Sequence, residues 1–336
     1  MKIGSVDLDS EVLVVAEIGN NHEGDMGRAR ELVQRAAECG AQAVKFQTIV
    51  PERLVSPSQG ARLEQLRRFC LSYDQFESLA ETAARANVMF MSTPFDLESV
   101  RHLAPLVPAF KIASSDNNYT ALLEAVAATG KPVLMSTGMA ALVDVKRSCA
   151  VMEAAWRGHG TAPGMVLLHC VSAYPTPVES ANLLAIRTLQ HETRYPVGYS
   201  DHTLGIEAAV LSVVLGACAI EKHFTLSKTQ SEFRDHQLSV EPAELAELVR
   251  RVKFAKTVLG DGVKRLMPVE ASVAAAARRS LVARRALPEG HVLKPEDLDW
   301  LRPAGGISPG QEGPLLGRAL KQAVAAGEMI KPDMVR

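Results

Sequence analysis

Two histidines, each at the end of a β-like run, are the residues of this chain best placed to do chemistry. His202 closes PVGYSDH (196–202) and His223 closes ACAIEKH (217–223), with an apolar, helix-like stretch between them. In a parallel α/β sheet the carboxyl ends of neighbouring strands lie side by side. His202 and His223 would then reach one metal ion, because neutral imidazole is a common ligand for zinc, manganese and iron. The alternative is a pair of partly buried histidines that merely pack at strand ends.

Other apolar runs end in polar clusters too: Glu17–Asn20, Lys45–Thr48, Ser92–Pro94, Lys111–Asp116, Ser136–Gly138 and His169–Tyr174. Lys45, Lys111 and Lys222 sit inside hydrophobic strand sequence, and a lysine there needs an anionic partner. Lys45 and Lys111, with Thr93, Ser114, Ser136 and Ser200, make a cationic, hydroxyl-lined pocket. It suits a small substrate carrying phosphate and carboxylate, since charge-assisted hydrogen bonds are strong in a dry site. Two histidines are an incomplete metal shell with room for water and substrate, which is the pattern of a catalytic site. Glu17 is the natural acid/base group; its alternative role is a rim salt bridge to Lys45.

The elements that must position these residues come in a regular order. Eight apolar strand patterns alternate with helical patterns from about residue 12 to 260, beginning VLVVAEIG and ending ACAIEKHF before a last helix at AELAELVRRVKFAKTVLG. Asp25 reads as an N-cap and Gly40 as the residue closing the first helix. The strands are continuous apolar runs, as in a parallel sheet covered on both faces. Eight such units in about 250 residues fit a (β/α)8 TIM barrel. The open doubly wound sheet is the alternative, but no GxGxxG follows the first strand. The expected organisation is a catalytic barrel over 1–260, a linker over 261–279, and a small β-rich domain over 280–336. Two segments of that domain, ALPEGHVLKPEDL and AVAAGEMIKPDMV, share a turn glycine, an apolar pair, Lys-Pro and an acid.

Composition bounds the partners. Lys+Arg 37 against Asp+Glu 38 gives a net charge of −1, so no global basic excess points to nucleic acid. Five scattered cysteines without a CxxC are expected to be reduced thiols of a cytoplasmic chain, Cys170 among them in a packing role. Three carboxylates in the first dozen residues are not expected of a signal peptide, and no apolar run has the ~18–20 residues of a membrane span.

The segments AEIGNNHEGD, VKFQT, STPFD, KIASSDNNY, STGM, HCVSAYPTP, GYSDHT and EKHFT, together with Asp235–Ser239 (DHQLS), closely resemble the signatures of the sialic acid (N-acetylneuraminate) synthase family. RPAGGI and LLGRAL resemble its C-terminal SAF, or antifreeze-like, domain. The resemblance spans nearly the whole chain. It implies condensation of phosphoenolpyruvate with an open-chain N-acetylated hexosamine, giving a nine-carbon 2-keto sugar acid and phosphate. It further implies that His202 and His223 hold Mn2+ or Mg2+, with Glu17 in proton transfer. Lys45, Thr93, Lys111, Ser114, Ser136, Ser172 and Ser200 would hold phosphoenolpyruvate. Gln47, Asp116, Tyr174 and Asp235 would contact the sugar, joined by Arg302 from the partner chain of a domain-swapped homodimer.

This chain departs from the sialic acid pattern at three places. Ala113-Ser114-Ser115-Asp116 stands where GSGE is usual, Ser172 where asparagine is usual, and RPAGG where RPGTG is common. The Ser-Ala-Tyr-Pro form is nearer the pseudaminic acid and spore-coat polysaccharide branches. The acceptor is therefore open between N-acetylmannosamine and a 2,4-diacetamido-trideoxyhexose. Octulosonate- or heptulosonate-type synthases using phosphoenolpyruvate, and a non-catalytic carbohydrate-binding relative, are the competing functions.

Overall fold

A computed structural model describes residues 1–336 as two compact units, Met1–Gly260 and Asp261–Arg336. In the first, eight parallel strands run β1 (Leu13–Gly19), β2 (Ala43–Thr48), β3 (Met89–Pro94), β4 (Phe110–Ile112), β5 (Val133–Ser136), β6 (Met165–His169), β7 (Val197–Asp201) and β8 (Ala219–His223). Their order in the sheet is β3-β2-β1-β8-β7-β6-β5-β4. β3 and β4, at the two ends of that order, run next to each other without ladder hydrogen bonds, so the sheet is a nearly closed TIM-type barrel.

The pleat sorts the residues of every strand. Val14, Ala16, Ile18, Val44, Phe46 and Phe90 point outward and join the helices in one core. Leu13, Val15, Ala43, Met91, Leu134, Leu168 and Ala219 point inward and fill the lower barrel. An N-terminal hairpin, Lys2–Ile3 with Val6–Asp7, plugs that lower end through Ile3, Val6 and Leu8; nothing in the sequence reading anticipated it. One step further along the inward rows, apolar residues give way to Glu17, Lys45, Lys111 and Glu221. Gly198 occupies an inward position where a Cβ would lie 2.5 Å from the Ala219 carbonyl oxygen, so β7 and β8 meet there only because it has no side chain.

The first helix, Met26–Glu38, is capped as its sequence indicated: Asp25 accepts from the Gly27 and Arg28 amides, and Gly40 follows at φ +85°. The helices after β5 (Leu142–His159) and β8 (Pro242–Leu259) are the longest coverings of the barrel.

The second unit is built on the antiparallel pair Ser280–Ala283 and Leu298–Leu301, with single bridges such as Leu287 to Val324 and Leu320 to Val335. Its two similar segments share a backbone course. Gly290 and Gly327 both turn at positive φ, Leu293 and Ile330 both enter the core, and Pro295–Asp297 and Pro332–Met334 are both 3-10 turns.

Candidate active site

The inward rows converge at the carboxyl ends of the strands. Glu17, Lys45, Gln47, Thr93, Lys111, Ser114, Ser136, Tyr174, Ser200, His202 and His223 line one cleft, and Glu221, Phe95 and Ala113 complete its wall. Lys45 and Lys111 are each 3 % exposed. Their ammoniums are matched by carboxylates, as burial demands. Lys45 Nζ lies 2.7 Å from Glu17 Oε2 and 3.7 Å from Glu221 Oε2, and it donates to Thr93 Oγ1 at 3.2 Å. Lys111 Nζ lies 3.7 Å from Glu221 Oε1, which also accepts from Ser200 Oγ at 2.9 Å. Gln47 Nε2 donates to Glu17 Oε1 at 3.1 Å, and Asn20 in turn holds Gln47. The rim salt bridge between Glu17 and Lys45 is therefore present, inside a four-charge network that the sequence did not reveal.

The two carboxylates diverge in acidity. Burial drives Glu17 up to about 7, with Lys45 opposing and Glu221 reinforcing the rise. Burial pushes Glu221 the same way, but the Lys111 and Lys45 ammoniums and the Ser200 hydroxyl outweigh it and hold the carboxyl down at about 2. Glu17 is thus the member of the pair that exchanges a proton near neutrality, the property a general acid or base needs.

Above the charges stand the imidazoles. The rings of His202 and His223 are 5.5 Å apart, and Tyr174 lies against His202 at 4.2 Å. Burial, aided by the facing His223, lowers His202 to about 4, and burial also lowers His223, so both are neutral at pH 7. His202 Nδ1 donates to the Val171 carbonyl at 2.9 Å, which leaves Nε2 with its lone pair. His223 Nδ1 is buried and has no hydrogen-bond partner. No group of three or more His, Cys, Asp or Glu side chains is arranged to hold an ion. The chain offers a divalent metal two neutral nitrogen donors and leaves the other positions to water and substrate. That donor set fits an open catalytic ion rather than a closed structural one.

Of the remaining expected residues, Ser172, Asp116 and Asp235 belong to the barrel unit without forming the cleft wall. Ser172 lines a roomier neighbouring cavity with Cys170, Thr137 and Met139. Ser172 Oγ is buried without a partner. A Cβ on Gly138 would come within 2.5 Å of Ser172 Oγ and 2.7 Å of Ser114 Oγ, so this glycine keeps the two hydroxyls close to the backbone. Cys170 Sγ and Ser114 Oγ share a hydrogen bond of 3.1 Å at the edge of the site. Asp116 sits in the 3-10 turn Ser114–Asp116, held by Ser115, and its partial burial raises its carboxyl. Asp235 is on the short helix Arg234–Leu238, 7 % exposed. Arg302 belongs to the second unit and is exposed.

Sequence reasoning passed over Glu221 as a site residue and kept Lys222 in the same cluster. The structure separates them. Glu221 faces the cleft, while Lys222 points outward and pairs with Asp201 at 2.8 Å. Strand alternation from His223 would have shown this, since residues two apart share a face.

A barrel with this mouth has relatives. Residues 32–264 match the NeuB family and residues 278–336 match the SAF domain, so the chain belongs to the NeuB family and ends in an SAF domain. It is 39% identical over 328 residues to the N,N'-diacetyllegionaminic acid synthase of Legionella pneumophila, covering 94% of this chain and 92% of that one. It is 36% identical over 294 residues to the human N-acetylneuraminate-9-phosphate synthase, covering 83% and 80%. Among solved structures it is similar to the N-acetylneuraminic acid synthetase of Leptospira borgpetersenii, determined with citrate, at 33% identity and a TM-score of 0.76 over 81% of this chain and 94% of that one.

Proposed function

We propose that this chain is a nonulosonic acid synthase, joining phosphoenolpyruvate to an N-acetylated hexosamine to give a nine-carbon 2-keto sugar acid and phosphate. The observation that carries the reading is the buried layer of Lys45 and Lys111 set between Glu17 and Glu221, beneath two neutral imidazoles. Phosphoenolpyruvate has two anionic ends, and Lys45, Lys111, Thr93, Ser114, Ser136 and Ser200 offer it ammonium and hydroxyl donors in a water-poor cleft, with Ser172 beside them. In the free chain those ammoniums are already neutralised. Protonation of Glu17 near neutrality releases Lys45 toward the substrate.

In the reaction the enol carbon of phosphoenolpyruvate bonds to the aldehyde carbon of the sugar. The aldehyde oxygen takes a proton, and water replaces phosphate at the adjoining carbon. Glu17, oriented by Gln47 and Lys45, is the group that holds and moves that proton. His202 and His223 would hold Mn2+ or Mg2+, and the ion would supply Lewis acidity for the addition. Gln47, Asp116, Tyr174 and Asp235 bind the sugar. Arg302 of one copy serves the cleft of the other in a domain-swapped homodimer.

The acceptor is N-acetylmannosamine or a 2,4-diacetamido-trideoxyhexose. The similarity to a legionaminic acid synthase supports the diacetamido sugar. The test is phosphate release from phosphoenolpyruvate with Mn2+ and a panel of these sugars. Folded, metal-supplied protein that releases no phosphate with any of them refutes the proposal.

A further inference from the structure

Outside the cleft wall, a second buried network joins two loops that are far apart in the chain. Glu23, in the loop after β1, accepts from His236 Nε2 at 2.8 Å and from Ser231 Oγ. His236 is 0 % exposed, and its other nitrogen meets Thr225 Oγ1 at 2.7 Å. Two residues before Glu23, Asn21 Nδ2 donates to the Phe224 carbonyl at 2.8 Å and to Ser239 Oγ at 2.9 Å. Ser239 Oγ itself donates to the Asp235 carbonyl. The loop after β8 is closed at its base, where Thr225 and Val240 exchange a backbone bond and Val240 returns to the His223 carbonyl. Its far end is tied to the loop after β1 through Asn21 and Glu23, with Phe69 set edge-on against Phe233, while Lys228 ties an earlier part of the loop to Glu241 and Glu244.

That far end is the helix Arg234–Leu238. It carries Asp235, and the Arg234 guanidinium lies 4.8 Å from the centre of the Tyr174 ring, the ring that packs on His202. Glu23 holds φ +49°, a backbone region that a residue with a side chain enters only when its surroundings over-determine it. The side chain it aims by doing so is the carboxylate that receives His236.

Building on the reading above, we propose that Glu23 and His236 are positioning residues for the acceptor sugar. Together they lock the loop after β8 to the loop after β1, and so set Asp235, Arg234 and Tyr174 as one wall of the sugar site. Neither residue touches the phosphoenolpyruvate side, where Lys45, Lys111 and the serines lie. Their loss therefore acts on one substrate and not on the other.

The experiment uses the full chain with Glu23→Ala, Glu23→Gln, His236→Ala and the milder Thr225→Val, each checked for folding. The alanine variants are expected to raise KM for the sugar about tenfold or more, with KM for phosphoenolpyruvate held within about twofold. Glu23→Gln keeps an acceptor oxygen of the same reach and recovers most of the loss. Hydrogen exchange provides an arm that needs no turnover. In His236→Ala the amides of 21–25 and 227–239 lose protection together, while the barrel strands keep theirs. The inference is overturned if both KM values move together, if neither moves, or if the two loops exchange independently. A wild-type chain that turns over none of the sugars defeats the functional reading instead, and the exchange arm still decides the coupling of the loops.

Discussion

Replacing Lys222 by methionine removes half of an ion pair that has no access to water. Nζ is 2.8 Å from Asp201 Oδ2 and also donates to the Thr203 carbonyl, and both side chains are 0 % exposed. Methionine fills a similar volume, so little of the cost comes from a cavity; it comes from the carboxylate left behind. Breaking a buried pair in this way costs about 3–5 kcal/mol. Asp201 retains the Thr203 amide and hydroxyl, each at 2.8 Å, which places the expected loss near the lower end, about 3 kcal/mol. For a unit of this size that lowers Tm by roughly 6 °C. The assay is thermal or urea unfolding of the wild type, Lys222→Met, Asp201→Asn and the double variant. The double variant leaves no buried charge and is expected to recover most of the loss. Because Asp201 and Lys222 alternate with both histidines, Mn2+ affinity measured by paramagnetic resonance is expected to fall in the single variants by about tenfold. A single variant that costs less than about 1 kcal/mol, the worth of an exposed pair, refutes the sealed arrangement. So does a double variant no better than either single one.

His202→Ala is expected to abolish Mn2+ binding by the same measurement while the chain stays folded; full activity in this variant refutes the metal assignment. Glu17→Gln is expected to lower kcat by about 10²–10⁴-fold, the range for loss of an acid/base group, and unchanged turnover would remove Glu17 from proton transfer. The stability of the same variant has a defined pH sign. A carboxyl raised from 4.5 to about 7 contributes stability that is present below 4.5 and lost as pH rises through 7. Tm of Glu17→Gln relative to wild type is therefore expected to be higher at pH 8 than at pH 4.5. Glu221, held at about 2, contributes stability that is present above 4.5 and lost as pH falls through 2, so Glu221→Gln is expected to destabilise at pH 7. Arg302→Ala and Glu17→Gln chains, each expected to be strongly impaired alone, are expected to regain activity when refolded together; no recovery from folded mixed dimers refutes the shared site.

The fold and most of the cleft were legible because both depend on period. Eight apolar runs, each ending in polar residues, can be read as a barrel face before any side chain is placed. Lys45, Lys111, Glu17 and the two histidines were visible because charge at the end of an apolar strand has few structural explanations. Beyond the pair of Glu17 with Lys45, what stayed hidden was which charge meets which. Glu221 lies more than 170 residues from Lys45, and Glu17 more than 200 from its barrel neighbour His223, so the pairings depend on strand order and register rather than on spacing. Lys222 shows the limit from the other side: it was one residue from the site in sequence, and the pleat turned it away from the cleft. The link between Glu23 and His236 was out of reach for another reason. Loops carry no period, and their contacts are set by tertiary packing alone.

The neighbouring strands β7 and β8 show how the barrel separates two demands on the same few residues. Ser200 pairs in register with Glu221, and Asp201 with Lys222. Inward, Ser200, His202, Glu221 and His223 face the cleft: a carboxylate shared by two lysines, and imidazoles of which His202 keeps a free lone pair. Outward, Asp201 and Lys222 are satisfied completely and close off the strand ends from solvent. A buried unsatisfied atom is costly, yet His223 Nδ1 has no partner on the inward face, and Glu221 Oε2 has only the Lys45 ammonium 3.7 Å away. Such atoms persist when a ligand completes them, and here they surround a single cleft. Asp201 and Lys222 each stand one residue before a histidine of the inner set. Loosening Asp201 and Lys222 is therefore expected to reach the histidines without touching any group that contacts substrate.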